Sequence, residues 1–349
     1  MSTRLALVTL AAHQRMGQQV YEQEVARRAG GVLGATWDVD PVVVRSLRSP
    51  LPGTVRLPSR LLADSAPWLR RLTGRAVYRG FDIVHRFDLR LPPAPHPEVL
   101  TVHDVVSWRF ADEARPPSDA AASARRAVVV VCPSQFSVDE VERQLGVVGA
   151  VAIPNGVDRA FLDATPLPSE RLAALGIRPP FVVHAGGCTE RKNLAGLAGA
   201  WALVRSVRAD AMLVMMGPAD PRRDRRFAPL PGTVLIGRVD DQTARGVLAA
   251  AAAVVVPSVY EGFGLPALEG MAVGVPVVAA RRSSLPEVCG DCAHLVEPDP
   301  SGLADGLIAA LEGGPDTSAM VERGRDRARR FSWEASAAAH AELWRAHAG

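Results

Sequence analysis

Two stretches of this 349-residue chain carry residue types whose spacing suits the binding of an anion. The first reads F-V-V-H-A-G-G at 181–187 and continues T-E-R-K-N-L at 189–194. An apolar strand ends at Gly186 and Gly187, which permit a tight turn and close backbone approach. Arg191 and Lys192 then stand where a helical pattern begins. Glycines, open N–H groups and two cations at a strand end outline a phosphate site. Cations are unfavourable near a helix N-terminus, so an anion beside them removes a conflict. The pattern G-x-x-x-x-G-K-[ST] is absent, so this is not a P-loop. Lys192 is also the only lysine in the chain; the other basic residues are all arginine.

The second stretch is P-S-V-Y-E-G-F-G-L-P-A-L-E-G-M-A-V-G-V-P-V-V at 257–278. A strand stops at Pro257, and E-G-F-G is a loop. Pro266 suits the first turn of a helix, which Gly274 ends. Glu261 then lies in the loop and Glu269 in the first turn of the helix. Two carboxylates so placed reach two parts of one extended ligand. The N–H groups around Gly264 and Leu265 point at an anion between them.

These residues need strands and helices to hold them. Short Val-rich runs recur, six in each half of the chain, from R-L-A-L-V-T-L near the start to A-H-L-V-E-P near 296. They read as strands buried on both faces, as in parallel sheets. Ala-rich patterns carrying Arg and Glu alternate with them and read as helices, so each half is an α/β doubly wound sheet. Four prolines in L-D-A-T-P-L-P-S-E-R-L-A-A-L-G-I-R-P-P separate the two strand sets. The segments are 1–165, 166–332 and a terminal helix at 333–349. Two open sheets place ligands at the carboxyl ends of their strands.

Composition excludes several classes. The net charge is +3, with 20 basic against 17 acidic residues up to position 165 and 20 against 20 after it. This balance argues against a nucleic-acid partner. The modest basic excess of the first half leaves contact with an anionic membrane face open. Four cysteines are too few for a disulfide scaffold, and the lone C-x-x-C of Cys289 and Cys292 lacks the other ligands of a zinc site. A cytoplasmic setting is the default, with the inner membrane face as its periphery. The apolar start reads as a first strand rather than a signal peptide. The run R-R-D-R-R at 222–226 reads as a solvated loop. D-V-D at 38–40 sits where a second strand starts and is too short to define a metal site.

Further spaced motifs occur in order: T-V-H-D at 101–104, C-P-S-Q-F-S at 132–137, I-P-N-G-V-D at 153–158, and S-S-L-P-E-V-C-G-D-C-A-H-L-V-E-P-D-P at 283–300. With G-x-x-x-x-R-K-N and P-S-x-Y-E-G-F-G-L-P-x-L-E-x-M-A-x-G-x-P-V-V-A, they resemble the retaining GT-B glycosyltransferases of the family 4 type (glycosyl transferases group 1). The resemblance spans roughly the whole chain and is most specific from 181 to 300. It implies two Rossmann-like domains facing across a cleft, 1–165 on the acceptor side and 166–332 binding a nucleotide sugar. The helix at 333–349 would cross back to the first domain.

The implied reaction is retaining transfer of a hexosyl group, in glycan or glycoconjugate biosynthesis. It runs from a nucleotide-diphosphate sugar to a hydroxyl acceptor: a sugar, a lipid-linked glycan or a small molecule. The mechanism implied is front-face and metal-independent, with no cofactor beyond the donor substrate. The residues that match the family's catalytic positions are Glu261, His103, Arg191 and Lys192. Arg191 and Lys192 meet the pyrophosphate, Glu261 the sugar hydroxyls, Glu269 the ribose, and His103 lies near the donor sugar. Backbone at Gly262, Phe263, Gly264 and Leu265 meets sugar and phosphate, and Gly237, Arg238 and Val239 hold the base. Gly186 and Gly17 complete the donor contacts, although the N-terminal turn departs from the family's glycine-rich form. Lysine and arginine side by side suit two geometries on one diphosphate, since ammonium is a point charge and guanidinium a planar fork. The other readings are a nucleotide-sugar epimerase or a non-catalytic nucleotide-sugar binding protein of the same fold. A pyridoxal-phosphate phosphorylase would have to use Lys192, and a hydrolase built on Glu261 and Glu269 gives the cations no task.

Overall fold

A computed structural model describes residues 2–13, 16–58, 62–95 and 97–348. His96, read from the sequence as structural, lies outside them. The chain divides into two compact units, Met1–Gly156 with Trp333–Gly349, and Val157–Ser332. The first break therefore falls at 156/157, where the sequence pattern placed it at 165/166.

The first unit holds a parallel sheet of seven strands. They are β1 (Thr3–Leu10), β2 (Trp37–Ser46), β3 (Val55–Leu57), β4 (Ile83–Arg86), β5 (Glu98–Thr101), β6 (Val129–Cys132) and β7 (Val151–Ala152). Their order is β3-β2-β1-β4-β5-β6-β7. β4, β5 and β6 are buried at every position, so none shows the apolar–polar alternation of a half-exposed strand. β6 is apolar throughout, while the polar residues of β4 and β5 are paired inside, Arg86 with Glu98 at 2.7 Å and His85 with Thr101 at 2.8 Å. The terminal helix Trp333–His347 packs on this unit. Its Trp333, Ala341 and Trp344 share one core with Leu5, Tyr21, Val25 and Ile83.

The second unit repeats the plan with β8 (Phe181–Ala185), β9 (Met212–Met216), β10 (Thr233–Gly237), β11 (Ala253–Val256), β12 (Val277–Ala280) and β13 (His294–Val296). The order is β10-β9-β8-β11-β12-β13, again all parallel. Both units are Rossmann-like. The strand order reverses between β1 and β4 in one sheet and between β8 and β11 in the other. Ligands bind such sheets at the carboxyl side of the reversal. Both stretches that the sequence singled out as candidate anion sites arrive there, one after β8 and one after β11.

Candidate active site

After β8 the chain is stitched to its neighbour strand, with Gly186 N donating to Met216 O at 3.0 Å. One 3-10 turn, Glu190–Lys192, then presents the two cations. Asn193 follows in the left-handed region at φ 52°. Its amide donates to Pro257 O at 3.0 Å and Pro298 O at 2.6 Å. Its Oδ1 accepts from Gly196 N at 3.2 Å, which caps the helix Leu194–Val207. One asparagine thus ties the cation loop to the loops after β11 and β13. The sequence motif includes it, but spacing alone gave it no task.

Glu261 stands opposite the cations. Lys192 Nζ donates to its Oε1 at 2.6 Å and Arg191 Nη1 to its Oε2 at 3.1 Å. Burial pushes this carboxyl up, but Lys192 and Arg191 together hold it down at about 2. It is the anion that the two cations require at their helix entrance. The loop around it is fixed by two serines. Glu261 N donates to Ser283 Oγ at 2.9 Å. Ser284 Oγ lies 2.9 Å from Glu261 O and 2.8 Å from Phe263 O.

Gly264 takes φ 102°, open to glycine, and a Cβ there would come 2.7 Å from Leu285 Cδ2. It opens the helix Leu265–Val273, whose N-terminus has no side-chain cap. Pro266 has no N–H and Ala267 N donates to Gly264 O at 3.0 Å, so Leu265 supplies the first-turn N–H that can serve an anion. The Phe263 side chain turns into the core and meets Phe331 edge-on at 5.8 Å, so only its backbone can serve a ligand. Glu269 lies in the second turn of this helix rather than the first, because the helix begins at Leu265. Burial, reinforced by the Asp241 carboxylate, raises its pKa to about 8.

Gly217 makes a close backbone approach to Gly186 that the sequence did not single out. A Cβ on Gly217, at φ 141°, would come 2.2 Å from Gly186 O, whereas Gly186 itself would accept one. Arg223 is a second correction. The R-R-D-R-R run is the helix Pro221–Phe227, not a solvated loop, and Arg223 is buried within it. Its Nη2 donates to Gly217 O at 3.2 Å, while Nε and Nη1 have no hydrogen-bond partner among the described residues. Beside it His184, buried at the end of β8, has an Nδ1 with no hydrogen-bond partner among the described residues. Burial, Lys192 and Arg223 push this imidazole down to about 3. Gly237 ends β10 at φ 67°, Arg238 follows, and Val239 leans on the core.

The first unit places His103 just beyond β5, with its carbonyl accepting from Ser137 Oγ at 3.2 Å. Its Nε2 is buried without a hydrogen-bond partner among the described residues. Burial lowers its pKa to about 4 even though Asp88 pulls the other way. Gly17 is the first residue of the helix Gly17–Leu33. Beside it in sequence, Gln18 Nε2 donates to Glu22 Oε1 at 2.9 Å and lies 3.3 Å from Asp88 Oδ2. Glu22 is raised to about 8 by burial, with Asp88 adding to it. Neither acid was legible as a site residue, because their meeting depends on β4 lying beside β1.

His103 rests on the edge of Tyr21, with ring centroids 4.7 Å apart. Tyr21 belongs to a buried chain of hydrogen bonds whose direction is forced. Trp344 Nε1 can only donate, and it faces His85 Nδ1 at 3.1 Å. His85 therefore donates from Nε2 to Thr101 Oγ1 at 2.8 Å. At the other end, His340 Nδ1 must donate to Ser336 O at 2.7 Å. Its Nε2 then accepts from Tyr21 Oη at 2.7 Å, and Thr101 donates to that Oη at 3.1 Å. The chain starts and ends on the terminal helix and runs through the first unit's sheet and first helix. Asp38 and Asp40 of the D-V-D string lie in β2, and Asp40 pairs with Arg4 at 2.8 Å. Among the described residues no three His, Cys, Asp or Glu side chains are grouped to hold a metal ion. Cys132, Cys188, Cys289 and Cys292 are all free thiols.

Two Rossmann-like units of this order, the first completed by the terminal helix, define the GT-B class. The structure of Anabaena HepE with UDP and glucose has the same fold, at a TM-score of 0.77 and 18% identity over 99% of this chain and 100% of that one. Two family descriptions match in succession, "Glycosyltransferase Family 4" over residues 8–161 and "Glycosyl transferases group 1" over 179–313. The chain belongs to the family 4, group 1 glycosyltransferases. It is 34% identical over 162 residues to the O-antigen chain mannosyltransferase B of Escherichia coli, which is 44% of this chain and 42% of that protein. It is 30% identical over 214 residues to the GDP-mannose-dependent alpha-(1-6)-phosphatidylinositol dimannoside mannosyltransferase of Mycobacterium tuberculosis, 60% of this chain and 55% of that protein. The chain thus matches about half the length of these relatives. No helix among the described residues is long and apolar enough to cross a membrane.

Proposed function

We propose that this chain transfers a hexosyl group, mannose from GDP-mannose in the first instance, to a hydroxyl acceptor with retention at the anomeric carbon. The observation that carries the reading is the Arg191–Lys192–Glu261 cluster, where the second sheet reverses its strand order. The names of the two relatives support mannose, and one of them names GDP-mannose.

In the proposed reaction the bond from the anomeric carbon to the β-phosphate oxygen breaks, and the nucleoside diphosphate leaves. The acceptor oxygen bonds to that carbon from the same face, and its proton passes to the departing phosphate oxygen. Charge grows on the diphosphate while the sugar becomes oxocarbenium-like. Arg191, Lys192 and the N–H groups of Gly262 to Leu265 oppose that growing charge. These cations supply what a metal would otherwise provide. Glu261 takes the hydroxyls of the transferred sugar, Glu269 those of the ribose, and Gly237 to Val239 border the base. Gly17 and Gly186 bring backbone to the donor, and His103 serves the transferred sugar. The acceptor is a glycan or lipid-linked alcohol.

The test is release of nucleoside diphosphate from GDP-mannose and from UDP-glucose, with a panel of alcohol acceptors. Acceptor-dependent GDP release and an α-linked product are expected. If a nucleotide sugar stabilises the protein against heat but no acceptor ever elicits diphosphate, the chain is a binding protein and the transfer reading is wrong.

A further inference from the structure

The helix Pro67–Val77 of the first unit is turned inside out. Its inward residues are Arg70 and Gly74, followed by Tyr78 just beyond its end. Its large apolar residues face outward, with Trp68 62%, Leu72 55% and Leu69 38% exposed. A helix docked by the hydrophobic effect has the reverse arrangement.

The inward face cannot be exchanged for the outward one. Arg70 donates to four backbone carbonyls, those of Leu62, Leu89, Arg90 and Leu91, at 2.9 to 3.2 Å. Its Nε also lies 2.9 Å from Asp119 Oδ1. Tyr78 Oη donates to Pro92 O at 3.2 Å. Gly74 sits so close to Pro93 that a Cβ would come 1.9 Å from the Pro93 carbonyl oxygen. Rotating the helix to bury Trp68 would strand a guanidinium and drive a side chain into that backbone. The polar anchors therefore hold the apolar stripe in solvent.

Charge identifies what covers it. Arg71 and Arg75 lie along one flank of the stripe and Arg79 follows, all three exposed. From Ser65 to Phe81 there is no acidic residue. Tryptophan and leucine between arginines is the pattern of a helix lying in the plane of a bilayer surface, with the aromatic at the headgroup level. We infer that the Pro67–Val77 helix docks this first unit on an anionic lipid surface. Trp68 and Leu72 enter the boundary between headgroups and acyl chains, and Arg71 and Arg75 meet lipid phosphates. The inference does not depend on sugar transfer, since it concerns a different face and a different readout.

The test is co-sedimentation of the full chain with vesicles of phosphatidylcholine, with and without phosphatidylglycerol. The chain should pellet with the anionic vesicles and be released by salt. Arg71→Gln with Arg75→Gln should weaken that binding about 30-fold, since each cation near an anionic surface contributes on the order of 1 kcal/mol. Trp68→Ser with Leu72→Ser should stay in the supernatant, with an unchanged melting midpoint because both side chains are exposed. Retained binding by the Trp68–Leu72 variant, or no binding by the parent chain, overturns the proposal. So does a concentration-dependent dimer that the same variant abolishes in the absence of vesicle binding, which would assign the stripe to a second copy.

Discussion

Lys192 and Arg191 both reach one carboxylate, Glu261, across about seventy positions of sequence. A diphosphate would compete with that carboxylate for the same two cations. Glu261→Gln should therefore lower transfer by at least about two orders of magnitude, the scale of one lost electrostatic stabiliser, without weakening nucleoside diphosphate binding. Calorimetric titration alongside the rate assay checks this, and a parallel loss of both would contradict it. Lys192→Ala should lower both. Glu269 gives a pH signature. Near neutrality its carboxyl is largely protonated, being raised to about 8, whereas ribose hydroxyls donate best to the ionised form. Nucleoside diphosphate should bind up to about tenfold tighter on going from about pH 7 to 9, and Glu269→Gln should remove that dependence. The types and spacing of these residues were legible because strand-end glycines, cations and a loop acid leave a local mark. Their mutual pairing was not, and neither was the burial of Arg223. A run of four arginines around one aspartate looks solvated until Gly217 presents its carbonyl to one of them.

At the level of elements, the terminal helix is held by apolar packing and by a hydrogen-bond chain that needs both histidines neutral. Burial pushes His85 well below its ordinary value and His340 to about 4. A doubly protonated His85 would set its Nδ1–H against the Trp344 N–H. The unfolded chain binds these protons near pH 6.5, so between the two values it holds more protons than the native state. Stability from this chain is therefore complete above about pH 6.5 and is lost as pH falls toward about 4. Melting midpoints across that range should decline in the parent protein and decline less in His340→Gln. Tyr21→Phe breaks the chain at its centre and should cost about 1 to 3 kcal/mol, the penalty for leaving buried partners unmatched. It should also disturb His103, whose ring rests on Tyr21, so its transfer rate should fall beyond the loss in stability. Twelve strands of the fold were legible as apolar runs. β3 was not, because three residues centred on Arg56 make no run, and only pairing with β2 turns them into a strand.

On the scale of the whole molecule, the first unit is built from two separated pieces of chain. Trp344 is fully buried among residues of the amino-terminal piece. Trp344→Ala should cost the first unit about 3 to 5 kcal/mol, as large-to-small changes in a core do, and leave the second unit's unfolding unchanged. Two separate transitions in urea, with only one displaced, would be the expected record. The same arrangement sets an order of events during synthesis. A ribosome releases the amino-terminal piece first, with its places for Trp333 and Trp344 unfilled, and then the whole of Val157–Ser332, which has its own sheet and can close at once. The residues that complete the older unit arrive only after that. The part of the protein begun first is finished last, and a translation stall within the terminal helix would leave the later-made unit sound and the earlier one exposed to proteases.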